Sequence, residues 1–423
     1  MAVIALPQAS IRVDVSFYDE NEHQKLLQYP TATAIERLTA APIDVPTAEF
    51  LTYYLFHRKK IGTPGYRDYD SIGRKLDVAL ATLDECIEFD GHSIHTPAVA
   101  ERQLTEISEH IGEAVGLSVV TRIHDLTEAD WAPIPQQAGR NASPTFDFQI
   151  ASDGTQFVQV ENKGSAALDN RGLEDSVKAQ YRRIVAKKAK LRERAVTGSD
   201  PYPASLRYGT ITVVDSRKDG NVRCLLTDPP PDPPEDTPRR FRLVQRMRFI
   251  RDWVSFISPR SQLAAALSTR VAALENMRDP FELNGVHLVR GNGRPFDFAP
   301  YRPLGQHSTF LANRSRVTDG PAGGEVVRLS ENALFLLGVR EDLLVLAASQ
   351  SMDDVLTYRQ PAATIDKTVE CVVSRARFES LRLPDSVTGK VEAGGRYLRF
   401  ELRGQLQYSS FGLVFGILPF PEG

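Results

Sequence analysis

Asp147, Glu161 and Lys163 are the side chains of this chain best suited to chemistry. They lie in PTFDFQIASDGTQFVQVENKGS, residues 144–165, and Asp147 stands fourteen residues before Glu161. Two carboxylates offer hard oxygen ligands to Mg²⁺ or Mn²⁺. Mg²⁺ takes only one or two protein carboxylates and leaves its other positions to water and phosphate oxygens. Water on such an ion loses a proton readily, and a neighbouring lysine can orient it or take that proton. This chemistry suits hydrolysis of a phosphodiester. A Glu-x-Lys pair alone is equally an exposed ion pair; the aspartate on the preceding segment and the apolar opposite face set this one apart.

The elements that must position these groups are readable from alternation. Phe146, Phe148 and Ile150 alternate with Thr145, Asp147 and Gln149; Val158 and Val160 alternate with Gln159, Glu161 and Lys163. Strict alternation predicts two half-buried strands. Ser152-Asp153-Gly154 reads as a three-residue hairpin loop with Gly154 left-handed. Pairing Ala151 with Thr155 sets Thr145 opposite Glu161 and Asp147 opposite Gln159. Asp147, Glu161 and Lys163 then project from one face, diagonal neighbours being ~7–8 Å apart. A slip of one residue would send one strand's polar set to the other face.

The pattern resembles the PD-(D/E)XK nuclease superfamily, the restriction-endonuclease-like fold. Its core is a helix, strands carrying Asp and then Glu-x-Lys, a second helix and a further strand. Here residues 99–116 have Leu104, Ile107 and Ile111 at helical spacing, and 117–123 read as a first strand. Residues 173–195 read as a long helix and 208–216 as a β-branched strand. The resemblance implies a metal-dependent nuclease acting on DNA, set in restriction, phage defence or DNA repair. It makes Asp147 and Glu161 the ligands of Mg²⁺ or Mn²⁺ and Lys163 the catalytic lysine. It also draws attention to Glu106, Glu109 and Glu113 on the first helix, and to Gln180 as a supporting residue on the second. Gln180 borders the apolar stripe Val177, Tyr181, Ile184 and Leu191. The chain departs from the pattern at Pro144, three residues before Asp147, and at Ile184, where some members carry tyrosine. The competing expectation is a degenerate nuclease fold that binds nucleic acid, or serves as a structural subunit of a defence or repair complex, without cutting.

Charge distribution bears on the partner. The net charge is −3 and the pI about 6.3, which does not favour nucleic acid globally. Locally, Lys178, Arg182, Arg183, Lys187, Lys188, Lys190, Arg192 and Arg194 face a single acid, Glu193. Arg183, Lys187, Lys190 and Arg194 share one helical stripe. Contacts with DNA phosphates are therefore expected from Lys178, Arg182, Arg183, Lys187, Lys190 and Arg194. Arg239, Arg240, Arg242, Arg246, Arg248 and Arg251 make a second basic helix. For either helix the plain alternative is a solvated face.

The remaining composition excludes other classes. A 42% hydrophobic and 25% charged content is that of a globular protein. Cys86, Cys224 and Cys371 give neither a disulfide framework nor a zinc pattern, so a reducing cytoplasm is expected. The N-terminal apolar run is too short for a signal peptide, and no run approaches the ~18 residues of a membrane span. His92 and His95 read as loop histidines. Gly291-Asn292-Gly293 is a turn rather than a phosphate cradle, and no Gly-x-Ser-x-Gly elbow occurs.

The fold class expected is α+β in three parts. Residues 1–92 form a mixed, mainly helical region. Residues 93–284 form a restriction-endonuclease-like core, a mixed sheet flanked by helices. Residues 285–423 form a β-rich domain, a small barrel or sandwich, offering a surface for a protein partner or self-association. Its expected strands include 325–329, 333–339, 343–348, 368–374, 397–403 and 411–418.

Overall fold

The computed structural model describes residues 10–57, 66, 69–96, 104–134, 149–167, 173–196, 206–215, 221–227, 237–296, 314–317, 322–387, 389–391 and 397–421. The chain forms two compact units. One comprises Leu6–Arg58 and Thr82–Gln245, the other Met1–Ala5, Lys59–Ala81 and Arg246–Gly423. The fold is mixed α+β.

The first unit runs β1 (Ser10–Phe17), α1 (Glu20–Leu26), α2 (Ala32–Thr39), β2 (Ile43–Pro46) and α3 (Thr47–Phe56). After the division within α4 (Tyr69–Cys86) come β3 (Glu88–Asp90), β4 (Ser93–His95), α5 (Leu104–Ile123), β5 (Ala132–Pro133), β6 (Gln149–Ser152) and β7 (Phe157–Ala167). Then follow α6 (Asp175–Val196), β8 (Leu206–Asp215), β9 (Val222–Thr227) and the start of α7 (Pro238–Ile257). Seven strands form a mixed sheet in the order β2-β1-β9-β8-β7-β6-β5. β7 and β8 are parallel, as are β1 and β9; the other pairings are antiparallel. The segment expected to be a mainly helical N-terminal region thus supplies β1 and β2 to the sheet that carries Glu161 and Lys163.

Residues 117–123, expected as a strand, are the second half of α5. Leu117, Ser118, Val119, Val120 and Thr121 are all buried there. A helix enclosed on all sides is apolar all round and loses its 3.6-residue stripe, so the run imitates a buried strand. Gly116, which looks like a helix end, is a contact residue: a Cβ on it would run into Asn162 Oδ1 and Thr210 Oγ1. Gly112 likewise meets the backbone of Lys163 and Gly164. Two glycines one helical turn apart let α5 lie directly on β7 and β8.

On this side of the sheet several polar groups are joined by hydrogen bonds, while the buried Nδ2 of Asn162 has no hydrogen-bond partner among the described residues. Thr210 Oγ1 donates to Asn162 Oδ1 at 2.7 Å. Asp153 Oδ2 stands 3.1 Å from Nδ1 of the buried His124, whose Nε2 is 3.0 Å from Tyr208 OH. Tyr208 OH is in turn 3.0 Å from Thr31 Oγ1. With Nδ1 carrying the proton, each donor in this chain meets an acceptor. Burial works against ionisation of Asp153, but hydrogen bonds from His124, Thr155 and Gln156 outweigh it and hold the carboxyl well below the usual range.

The second unit holds the end of α7, then α8 (Gln262–Asn276), β10 (Arg314–Val317), β11 (Ala322–Ser330), β12 (Ala333–Arg340), α9 (Glu341–Ser349), α10 (Met352–Thr357), β13 (Ala363–Ser374), α11 (Arg375–Leu381), β14 (Lys390–Val391), β15 (Tyr397–Tyr408) and β16 (Leu413–Pro419). Its antiparallel order is β13-β10-β11-β12-β16-β15, and pairing of β13 with β15 closes the ring. Val326, Leu336, Val369, Phe400, Leu402 and Leu406 fill the interior. Residues 343–348, expected as a strand, are helix α9. Its acidic first turn (Glu341, Asp342) and the left-handed Gln350 that ends it are helix signals that a short apolar run obscures. Among the described residues no helix is long and apolar enough to cross a membrane.

Candidate active site

Asp147 lies outside the described residues. The described part of its strand, β6, pairs Gln149 with Val160, Ile150 with Gln159, Ala151 with Val158 and Ser152 with Phe157. The expected pairing of Ala151 with Thr155 does not form. Asp153 explains why: its Oδ1 accepts from the backbone N–H groups of Thr155 and Gln156 and from the Thr155 hydroxyl. This side-chain turn widens the connection to residues 153–156, and Gly154 takes the expected positive φ, 95°. The ladder therefore matches odd-numbered residues of β6 with even-numbered residues of β7. The parity from which a shared face for Asp147 and Glu161 was expected is not the parity of the described ladder.

Glu161 and Lys163 do share a face. Odd-numbered residues of β7 turn away from α5 and toward α6. Val177 and Ile184 of α6 are buried against Ile211, Val213, Leu225 and Ala167, with Tyr181 packed alongside. Ser165 Oγ donates to Ser176 Oγ at 2.9 Å at one end of the contact, and Lys187 reaches Glu161 at the other. The helix thus runs antiparallel to the strand. Gly209, the β8 partner of Glu161, makes room for it; a Cβ there would stand 2.9 Å from Ile184 Cγ2. Tyr181 also stacks on Tyr18 and donates to Glu22 Oε1 at 2.9 Å. Burial, aided by Glu22, raises that phenol well above its ordinary range.

At the centre is Glu161, 0% exposed. Its Oε1 lies 2.8 Å from Lys163 Nζ and 2.6 Å from Lys187 Nζ. Two ammonium groups from different elements share one carboxylate oxygen. The side chains of Lys163 and Lys187 are 17% and 28% exposed, so the cluster opens to solvent on its cationic side. Gln180 sits on α6 between Ser176 and Lys187, and its buried Oε1 has no hydrogen-bond partner among the described residues. Gln159 and its β8 partner Arg207 occupy the same face one pair before Glu161, both buried.

Lys187 was expected on the solvent stripe and instead turns inward. Arg182, Arg183 and Lys190 are exposed, as is Lys178, which pairs with Asp175 at 3.3 Å. The side chain of Arg194 lies outside the described residues. The second basic helix is committed elsewhere. Arg242 binds Asp130 Oδ1 and the carbonyl of Asp153. Arg246 is buried, donates to the carbonyls of Val355 and Tyr358 and covers the Phe411 ring. Arg248 pairs with Glu275 and Arg251 with Asp252. Helix α5, which carries Glu109 and Glu113, packs on the face of β7 opposite Glu161; the side chain of Glu106 lies outside the described residues. His92 bonds Ser10 and His95 bonds Glu88, structural roles for both.

Gln159 stands on the Glu161 face, as the alternation of β7 expected; sequence reading missed Lys187 as a partner of Glu161 and Arg207 as its neighbour. Only the β7–β8 register and the seat of α6 bring them together. Among the described residues no three His, Cys, Asp or Glu side chains form a group able to hold a metal ion. Glu161 alone nonetheless fits as one ligand of a Mg²⁺ site, which needs few protein carboxylates, and its Oε1 already accepts positive charge from two directions. Searches against protein-family models, curated proteins and solved structures return no match to this chain.

Proposed function

We propose that the chain is a Mg²⁺- or Mn²⁺-dependent nuclease of the PD-(D/E)XK type, hydrolysing phosphodiester bonds of DNA in restriction, phage defence or repair. The observation that carries this reading is the fully buried Glu161 on a central strand, with Lys163 and Lys187 on one of its oxygens. A carboxylate removed from water persists as an anion only beside cations, a role that a divalent ion would take over from one of the lysines. Glu161 would hold the ion, which when bound would polarise the phosphate and acidify water. Lys163 would orient the attacking water and neutralise charge developing on the phosphate oxygens. The helix–sheet–helix arrangement around β7, with the exposed cations Arg182, Arg183 and Lys190 on the adjoining helix, supports a polyanionic substrate.

The same shared oxygen favours a second reading, a degenerate and non-catalytic nucleic-acid-binding fold in which two lysines permanently neutralise Glu161. Incubating the full chain with Mn²⁺ and DNA separates the two. The nuclease reading expects cleavage that EDTA abolishes and added Mn²⁺ restores. Intact DNA, with no heat of Mn²⁺ binding, would leave the binding module.

A further inference from the structure

We propose that Lys187 is a place-holder cation. It occupies Glu161 Oε1 in the arrangement seen here, yields that oxygen when a divalent ion is held there, and then offers its ammonium to a phosphate of the bound strand. The proposal rests on the nuclease reading of Glu161 and deepens it.

The two ammonium groups on Oε1 are not equivalent. Lys163 is two residues from Glu161 on the same strand, and the ladder to β8 fixes its backbone through Ile211. Lys187 comes from a separate helix, on a long flexible stem with the more exposed side chain. Three cations cannot crowd one oxygen, because like charges at contact distance repel strongly in a buried site. The group that leaves is the one with water to enter and rotamers to use. Lys187 also has somewhere to go. Arg183 and Lys190 stand four residues before it and three after it, its neighbours on the helix surface, and both are exposed. On leaving Glu161 the Lys187 ammonium joins that strip, where phosphate is the complementary ligand. Binding of the ion and gripping of the strand are then coupled through one side chain.

The test is calorimetric titration of Mn²⁺ into the full chain, comparing wild type with Lys187→Met and Lys187→Arg. Methionine keeps an apolar stem and removes the charge; arginine keeps the charge. The expected result is Mn²⁺ affinity raised about fivefold to tenfold in Lys187→Met, the equivalent of losing one part-exposed ion pair, with Lys187→Arg near wild type. Affinity for a short DNA duplex, titrated with Ca²⁺ present, should fall in Lys187→Met, and without divalent ions it should match wild type. Wild type and Lys187→Met binding Mn²⁺ equally would overturn the place-holder role and leave the nuclease reading standing. Weaker binding in Lys187→Met, with a lowered melting temperature, would overturn it in favour of a structural tether for α6. Absence of Mn²⁺ binding in wild type would overturn both readings. If Lys187→Met fails to fold, Lys187→Gln carries the same titration and the same outcomes.

Discussion

On the α5 side of β7, Gly112 and Gly116 bring helix and strand together so closely that neither can accept a Cβ. On the α6 side, beyond Gly209, long cationic side chains span the gap. The first face links several polar groups through hydrogen bonds with little room to move: Thr210 to Asn162, and Asp153 through His124 and Tyr208 to Thr31. The second puts two lysines on one oxygen of Glu161. A face built from glycine contacts has one arrangement. A face built from lysines can exchange partners, because long stems reorient without moving the backbone. The difference shows how one sheet can be a rigid foundation on one side and carry a charged, exchangeable cluster on the other.

The strongest way to break this comparison is at the charged face. Lys163→Ala should lower DNA cleavage about 10²–10³-fold, the scale seen when a transition-state electrostatic contact is removed, and should keep Mn²⁺ binding. Glu161→Gln should lose both. Cleavage rates and Mn²⁺ titration on the two variants decide it, and full activity in Lys163→Ala would move the chemistry away from this face.

Next in size is the glycine face. Gly116→Ala should cost about 1–3 kcal/mol through overpacking, read as a lowered urea midpoint, while the Mn²⁺ affinity of the folded fraction stays at the wild-type value. An unchanged midpoint would mean that α5 can retreat, and the rigid half of the comparison would fail.

His124→Ala removes the partner of both Asp153 and Tyr208 and should cost about 1–3 kcal/mol. The pH dependence follows from Asp153. Its carboxyl is held below the ordinary value of 3.8 in the folded chain, so its stabilisation is present above the unfolded value and is lost as pH falls through the folded one. Asp153→Asn should therefore be less stable than wild type at neutral pH, and the gap should narrow on acidification below about pH 4. Denaturation curves at two pH values test this; a gap that widens in acid would contradict it.

The smallest effect is expected at the exposed strip. Reversing Arg183 and Lys190 together should weaken DNA binding evenly across sequences and reduce the salt slope by about one for each phosphate that is no longer neutralised. An unaltered slope would return both residues to plain solvated surface.

Strand β7, helix α6 and strand β8 are legible in the sequence because each keeps a recognisable period and is bounded by polar or proline-bearing segments. The second half of α5 is not, since enclosure on all sides leaves no polar stripe to read. Helix α9 is hidden by its length. The register of β6 against β7 escapes a sequence reading because Ser152-Asp153-Gly154 meets the requirements of a three-residue loop, while the actual turn depends on Asp153 capping two backbone amides further on. In the sequence Lys187 is one cation among many on a basic helix.

What the sequence determined by itself is local: the alternation that makes β7 a strand, the Glu161–Lys163 spacing that keeps both on one face, the amphipathic period that makes α6 pack on Ile211 and Leu225. These follow from side-chain periodicity, which one chain segment carries within itself. What only the tertiary structure decided is pairing. The parallel register of β7 with β8 puts Arg207 beside Gln159, Gly209 beside Glu161 makes the seat for α6, and the antiparallel run of that helix brings Lys187 to the same oxygen as Lys163. Such contacts join residues far apart along the chain, and no local period encodes them; they exist only once the layers have closed.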